Sequence, residues 1–187
     1  MRPSSKSAPA TIDDWSDAHD ENRRRVELLE GELVVLAPPS MPHQIATMNL
    51  IFAIRDYVMA QGIGGQVFGS STGMRLAADT MLEPDVLFVP MQECSRILDH
   101  WIEGPLPFVA EILSPSNRAH DTVKKRSLCE KYGVRELWIV DPETRSVTVC
   151  VLEDGRYRDT VARGNDVVRS ERGLPGFEAP IARLFES

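Results

Sequence analysis

Charge is placed where an apolar core should be. Two stretches of the chain read as short apolar strands, Pro84-Asp85-Val86-Leu87-Phe88-Val89 and Phe108-Val109-Ala110-Glu111-Ile112-Leu113, and a third, Lys125 to Tyr132, reads as a helix with an apolar face. Each nevertheless carries an ionisable side chain among its apolar ones. Burying a charge is costly unless it is paired or bound to a metal. A chain that aims two acids and a lysine into one interior is therefore expected to bring them together. That convergence suits metal-assisted phosphate chemistry.

Periodicity gives the direction of each side chain. Residues alternate faces along a strand, so Phe108, Ala110 and Ile112 share one side while Val109, Glu111 and Leu113 share the other. Glu111 thus falls mid-strand between apolar neighbours, whereas a water-facing glutamate belongs at an edge. Asp85 opens its strand after a proline, where an aspartate often only caps a turn; the acid at position 111 raises its weight. On a helix, Lys125 shares its face with positions three, four and seven residues on, which are Leu128, Cys129 and Tyr132. A lysine on an apolar stripe either snorkels to water or meets an acid. Asp121, one turn earlier, is a purely structural partner to set against a catalytic one.

Mg²⁺ takes hard oxygen ligands and keeps several waters, so one or two carboxylates suffice to hold it, and Mn²⁺ is able to substitute. Such an ion lowers the pKa of bound water and offsets charge on a phosphoryl transition state. A nearby lysine orients the water or stabilises the developing charge.

The rest of the chain sets bounds. At 187 residues with 42% hydrophobic content it supports one packed domain. Residues 1–10 read as a disordered tail and 11–187 as the domain. No apolar run approaches the roughly 18 residues of a membrane span, and the N-terminus lacks the apolar segment of a secretory signal. Cys94, Cys129 and Cys150 are odd in number and far apart, so neither a zinc site nor a disulfide framework is indicated, and a reducing cytoplasm fits. A net charge of −7 argues against coating nucleic acid by bulk electrostatics, but not against an enzyme with a local basic patch. Arg118, Lys124, Lys125, Arg126, Lys131 and Arg135 crowd beside Glu111; except for Lys125, a solvated helix face explains them equally well.

Glu30-Gly31 between Val26–Leu29 and Leu33–Leu36 predicts a β-hairpin, and Asp154-Gly155 predicts a second between 147–152 and 156–161. A helix is expected over 43–60 with Ile45, Met48, Phe52 and Val58 on its stripe, and another over 119–132 closed by Gly133. A short helix is expected near Thr11–Asp17 and a last one over 181–185. Strands are expected at 66–68, 73–76, 86–89, 108–113 and 137–140, with a helix or irregular loop over 92–104. Strand–helix–strand from Glu111 to Val140 predicts an α/β fold, a mixed sheet with helices on its faces. Glu32 is a further candidate acid, set against an exposed turn residue, and His43 a further candidate for phosphate contact, set against a local helix-start role. No phosphate loop, His-Glu-x-x-His or Gly-x-Ser-x-Gly is present.

Taken together, Glu30-Gly-Glu32-Leu-Val-Val, Pro-Pro-Ser-x-x-His43, Pro84-Asp85-Val, Val-Ala-Glu111-Ile-Leu-Ser-Pro-Ser, Asp121-x-x-x-Lys125 and Gly133-Val-x-Glu-Leu-Trp138-Ile-Val-Asp141-Pro resemble the Uma2 family, a branch of the PD-(D/E)xK nucleases. The resemblance runs from about Val26 to the C-terminus. It implies a restriction-endonuclease-like fold and metal-binding places at Asp85 and Glu111. The usual lysine position two residues after the glutamate is Leu113 here; the family supplies its lysine from the following helix, which maps onto Lys125. Cys129 stands where the family often has tyrosine, and Leu137 replaces its usual aromatic.

The expectation is a Mg²⁺-dependent endonuclease acting on DNA, with RNA also open. Asp85 and Glu111 hold the metal, Lys125 positions water, Glu32 and His43 assist, and Arg118, Lys124 and Arg126 contact the phosphate backbone. Self-association as a homodimer is implied by the fold alone. Two alternatives stand beside this: a non-catalytic nucleic-acid- or protein-binding module on the same fold, and a buried structural network.

Overall fold

Turn chemistry and helix caps cut the chain into the elements that position the site. The computed structural model describes residues 8–22, 25–115 and 120–186, without the side chains of 19–22, 120 and 121. Helix α1 (Ile12–Asn22) opens on Thr11, whose backbone N–H and hydroxyl both donate to Asp14, an acid reaching back to cap its own helix. Strands β1 (Val26–Leu29) and β2 (Glu32–Val35) turn on Glu30-Gly31, both at positive φ, which matches the right-handed twist of a tight hairpin. Helix α2 (Met41–Gln61) is capped by Ser40, whose hydroxyl accepts from the His43 N–H.

There follow β3 (Gly65–Gly69), β4 (Gly73–Ala77), β5 (Thr80–Leu82), β6 (Val86–Pro90), a 3₁₀ segment (Met91–Arg96), β7 (Trp101–Glu103) and β8 (Phe108–Ile112). A π-helical turn (His120–Lys125) runs directly into α3 (Arg126–Tyr132), which stops at Gly133 with φ of 87°, a left-handed cap that glycine adopts without steric cost. The chain ends through β9 (Glu136–Asp141), β10 (Ser146–Glu153), β11 (Arg156–Arg163), β12 (Val167–Arg169), β13 (Glu178–Pro180) and α4 (Ile181–Leu184).

These elements assemble an α/β fold around a six-stranded mixed sheet in the order β11-β10-β9-β8-β6-β3, beside a five-stranded sheet in the order β2-β1-β5-β4-β7. Among the described residues, only β8–β9 and β4–β7 pair in parallel. The β8–β9 pairing needs a crossover, and the helical segment that carries Lys125 supplies it. Alternation sorts the core into two layers. Phe108, Ala110 and Ile112 pack with Trp138, Val140 and α2 on one face. Val109, Leu113, Leu87, Val89, Leu137 and Ile139 pack against α3 and the smaller sheet on the other. Glu111 belongs to this second face, as its position in the strand requires. Among the described residues no helix is long and apolar enough to cross a membrane.

Several expectations are corrected. The 119–132 helix is split, its first turn being π rather than α. The 92–104 connection holds a 3₁₀ segment and a strand. Helix α2 buries His43, Ala46, Thr47, Leu50, Ile54 and Val58, while Met48 and Phe52 face outward. Both sides of this helix are apolar, so periodicity could not say which one meets the sheet. Of the expected tail, residues 1–7 lie outside the described residues, but Ala10 is already docked, its N–H donating to Gly31 O at 2.9 Å.

Candidate active site

Strand register brings the two predicted acids side by side. β6 and β8 pair antiparallel with Val86 opposite Ala110, and one further step sets Asp85 opposite Glu111 on the same face of the sheet. Both are buried. The Ile112 N–H, next in the chain to Glu111, donates to Asp85 Oδ2 at 2.9 Å. His43 Nε2 reaches the same oxygen at 3.0 Å from the first turn of α2. Asp85 Oδ1 accepts from Arg25 Nη1 at 3.0 Å and from the Ser70 hydroxyl at 3.1 Å.

Lys125 closes the other side. The residue is 1% exposed, and its ammonium donates to Glu111 Oε2 at 2.5 Å and lies 2.9 Å from Glu27 Oε1. That Glu27 oxygen also accepts the Glu83 N–H at 2.9 Å. Arg25 links Glu83 to Asp85, donating to the Glu83 carbonyl at 2.7 Å. Glu27 and Glu83 are both fully buried. Among the described residues, four carboxylates therefore gather with two cations, Arg25 and Lys125.

Electrostatics follow from this crowding. Burial works to raise the Asp85 pKa, but the hydrogen bond and charge of His43 and the charges of Arg25 and Lys125 outweigh it and hold the carboxyl well below its usual range. Burial works to lower the Arg25 pKa, and Asp85, Glu111, Glu83 and Glu27 together raise it above its ordinary value. A carboxylate with a depressed folded pKa stabilises the fold above its unfolded pKa of about 3.9 and loses that contribution as pH falls toward the folded value. Thermal melts from pH 7 downward should show wild type losing stability as pH drops below about 4, with Asp85→Asn giving a shallower acid limb. Parallel limbs would show that Asp85 is not held ionised.

Of the residues singled out from sequence, Asp85, Glu111, Lys125 and His43 come together. Glu32 does not: it sits at the turn end of β2, 68% exposed, with Lys124 Nζ at 2.9 Å. The third acid is Glu27, on the neighbouring strand of the same hairpin. Arg126 is engaged within the protein, donating to both Asp159 oxygens and lying 5.3 Å over the Tyr157 ring. Arg118 and the Asp121 side chain lie outside the described residues. Arg25, Glu27, Ser70 and Glu83 were not foreseen. Glu27 carried the same signal as Glu111, an acid inside the apolar strand Val26-Glu27-Leu28-Leu29.

The sequence matches the Uma2 family, described as "Putative restriction endonuclease", over residues 10–182. The chain belongs to the Uma2 family. The Uma2 description names a nuclease. The crystal structure of "a putative nuclease belonging to DUF820" from Anabaena variabilis superposes with a TM-score of 0.75 over 95% of this chain and 98% of that one, at 22% identity. This likeness shows that the restriction-endonuclease-like fold is shared. No curated protein matches the chain.

The donor set suits a divalent cation in kind, since carboxylates supply the hard oxygen ligands such an ion takes. Among the described residues no three His, Cys, Asp or Glu side chains form a full metal cage, and Mg²⁺ needs only one or two carboxylates with water completing its shell. Asp85 already accepts four hydrogen bonds, so an ion entering there displaces at least one of these donors.

Proposed function

We propose that the protein is a Mg²⁺-dependent endonuclease that hydrolyses phosphodiester bonds in DNA, with RNA the alternative substrate. The observation that carries this reading is the pairing of two buried acids on adjacent strands with a buried lysine bonded to one of them. Asp85 and Glu111 would hold the ion, which when bound supplies an activated water and charge neutralisation at phosphorus.

The protein's own groups divide the remaining work. Lys125 is an ammonium clamped between Glu27 and Glu111, so it acts as a donor: it orients the attacking water or stabilises the negative charge growing on the phosphoryl oxygens. His43 and Ser70 fix the Asp85 carboxylate through one hydrogen bond each. Arg25 ties Asp85 to Glu83 and keeps the acid cluster together. Water adds to phosphorus and gives up a proton, the bond to the leaving oxygen breaks, and that oxygen takes up a proton.

Purified protein should nick supercoiled plasmid in Mg²⁺ or Mn²⁺ and stop on chelation. Asp85→Asn should reduce nicking by at least about 100-fold, a loss of roughly 3 kcal/mol of transition-state stabilisation. Nicking that survives in a folded Asp85→Asn protein removes the reading.

A second reading has an observation of its own. Asp85 accepts four hydrogen bonds from the protein and Lys125 lies against two acids, so these two side chains have protein partners in place of an ion, as they would in a non-catalytic binding module on this fold. Absence of calorimetric Mn²⁺ binding, or binding unchanged in Asp85→Asn, favours the module.

A further inference from the structure

Helix α2 turns one apolar line toward solvent along its whole length. Met41, Met48, Phe52 and Met59 are between 44 and 73% exposed. At about 100° per residue their separations of seven, four and seven place all four within about 20° of a single line on the helix. A continuous apolar stripe on a helix is the usual mark of a surface that meets another one.

We propose that this line is the interface of an antiparallel two-fold homodimer in which α2 packs on α2 of a second copy. The proposal stands independently of the nuclease reading. A seven–four–seven spacing reads the same in both directions and is centred on Leu50. A two-fold axis beside Leu50 therefore sets Met48 against Phe52 of the partner subunit and Met41 against Met59 of the partner subunit. Such an isologous contact has to be self-complementary, and this one is.

Charge agrees with the same axis. Asp56 and Ile45 are eleven residues apart and so lie on one flank of the line, within about 20° of each other. The axis brings Asp56 opposite residues 44–45 of the other copy. Arg145 lines the small pocket there with Ile45, Pro42 and Phe185 and lies 5.9 Å over the Phe185 ring. Among the described residues neither Asp56 nor Arg145 makes an ion pair, although most other surface arginines and lysines are matched to acids, as in Lys124–Glu32, Lys131–Glu30 and Arg158–Glu171. The dimer would match Asp56 to Arg145 twice. An anionic membrane fits less well, because three acids, Asp56, Glu178 and Glu186, line the cavity beside Phe52 against Arg183.

Sedimentation velocity on the full chain through the micromolar range tests this. Wild type should run at twice the chain mass. Phe52→Glu, and separately Met48→Glu, should run as monomers that still unfold in one cooperative transition, since both side chains are at the surface of the single chain. Asp56→Arg or Arg145→Glu should each weaken dimerisation by about tenfold or more, and the double exchange Asp56→Arg/Arg145→Glu should recover it to within about threefold of wild type. The proposal is overturned by a monomeric wild type, by a dimer indifferent to Phe52→Glu, or by a double exchange no better than its singles. Wild-type monomer that co-sediments with anionic phospholipid vesicles overturns it in favour of a lipid surface.

Discussion

Lys125→Ala should destabilise the protein by about 3–5 kcal/mol at neutral pH and reduce plasmid nicking to background. The stability loss follows from removing one partner of a buried ion pair, which leaves an uncompensated charge. Here two acids lose their cation at once, because Glu27 and Glu111 both lie within 2.9 Å of the ammonium. The loss of cleavage follows from the absence of a donor beside the reacting phosphate. Urea unfolding separates the two effects. Lys125→Met with Glu111→Gln removes one charge of each sign and fills most of the space, so it should recover part of the stability and none of the cleavage. Unfolding free energy unchanged in Lys125→Ala would mean that the ammonium is not the counter-charge it looks to be. Full nicking by a stable Lys125→Ala protein would leave the lysine with no part in the chemistry.

Glu136→Ala should cost about 4 kcal/mol, with no loss of activity per folded molecule. Glu136 is fully buried on β9, on the face that carries Trp138 rather than the face of the acid cluster. Its carboxylate accepts the Trp138 indole N–H at 2.6 Å and the backbone N–H groups of Glu171, Arg172 and Gly173 at 2.9, 2.7 and 2.9 Å. It thus pins the 171–173 loop against the end of the sheet. Truncation strands at least two buried donors, those of Gly173 and Trp138, at about 1–3 kcal/mol each. Water can reach the exposed Glu171 and Arg172. Glu136→Gln keeps one acceptor oxygen and should cost less. A melting temperature unmoved in Glu136→Ala would show that the loop does not depend on this carboxylate.

Much of this arrangement was legible in the chain. Alternation alone put Glu111 on the opposite side of β8 from Phe108, Ala110 and Ile112, and those three residues do occupy the other layer of the core. Helical spacing put Lys125 with Leu128 and Cys129, and both are buried beside it. The hairpin at Asp154-Gly155 and the cap at Gly133 were readable because both need positive φ, which few residues adopt.

What failed did so for physical reasons. Glu32, the further acid expected from sequence, stands at the turn end of its strand with water available, whereas Glu27 lies inside an apolar strand and is buried. The stripe of α2 was misjudged because Leu50 and Ile54 on one side, and Met48 and Phe52 on the other, are equally apolar. Strands such as β5 and β12 are too short to show a period.

The order of residues by itself determined which side chains had to leave water and which turns the backbone could make, because both are set within a few neighbours along the chain. Tertiary structure alone decided who answers each buried charge. Arg25, Glu27 and Glu83 meet Asp85, Glu111 and Lys125 only because strands from two sheets and a crossover segment close on one point. Electrostatic pairing depends on distance in space, and separations of up to about 100 residues along a sequence carry no trace of it.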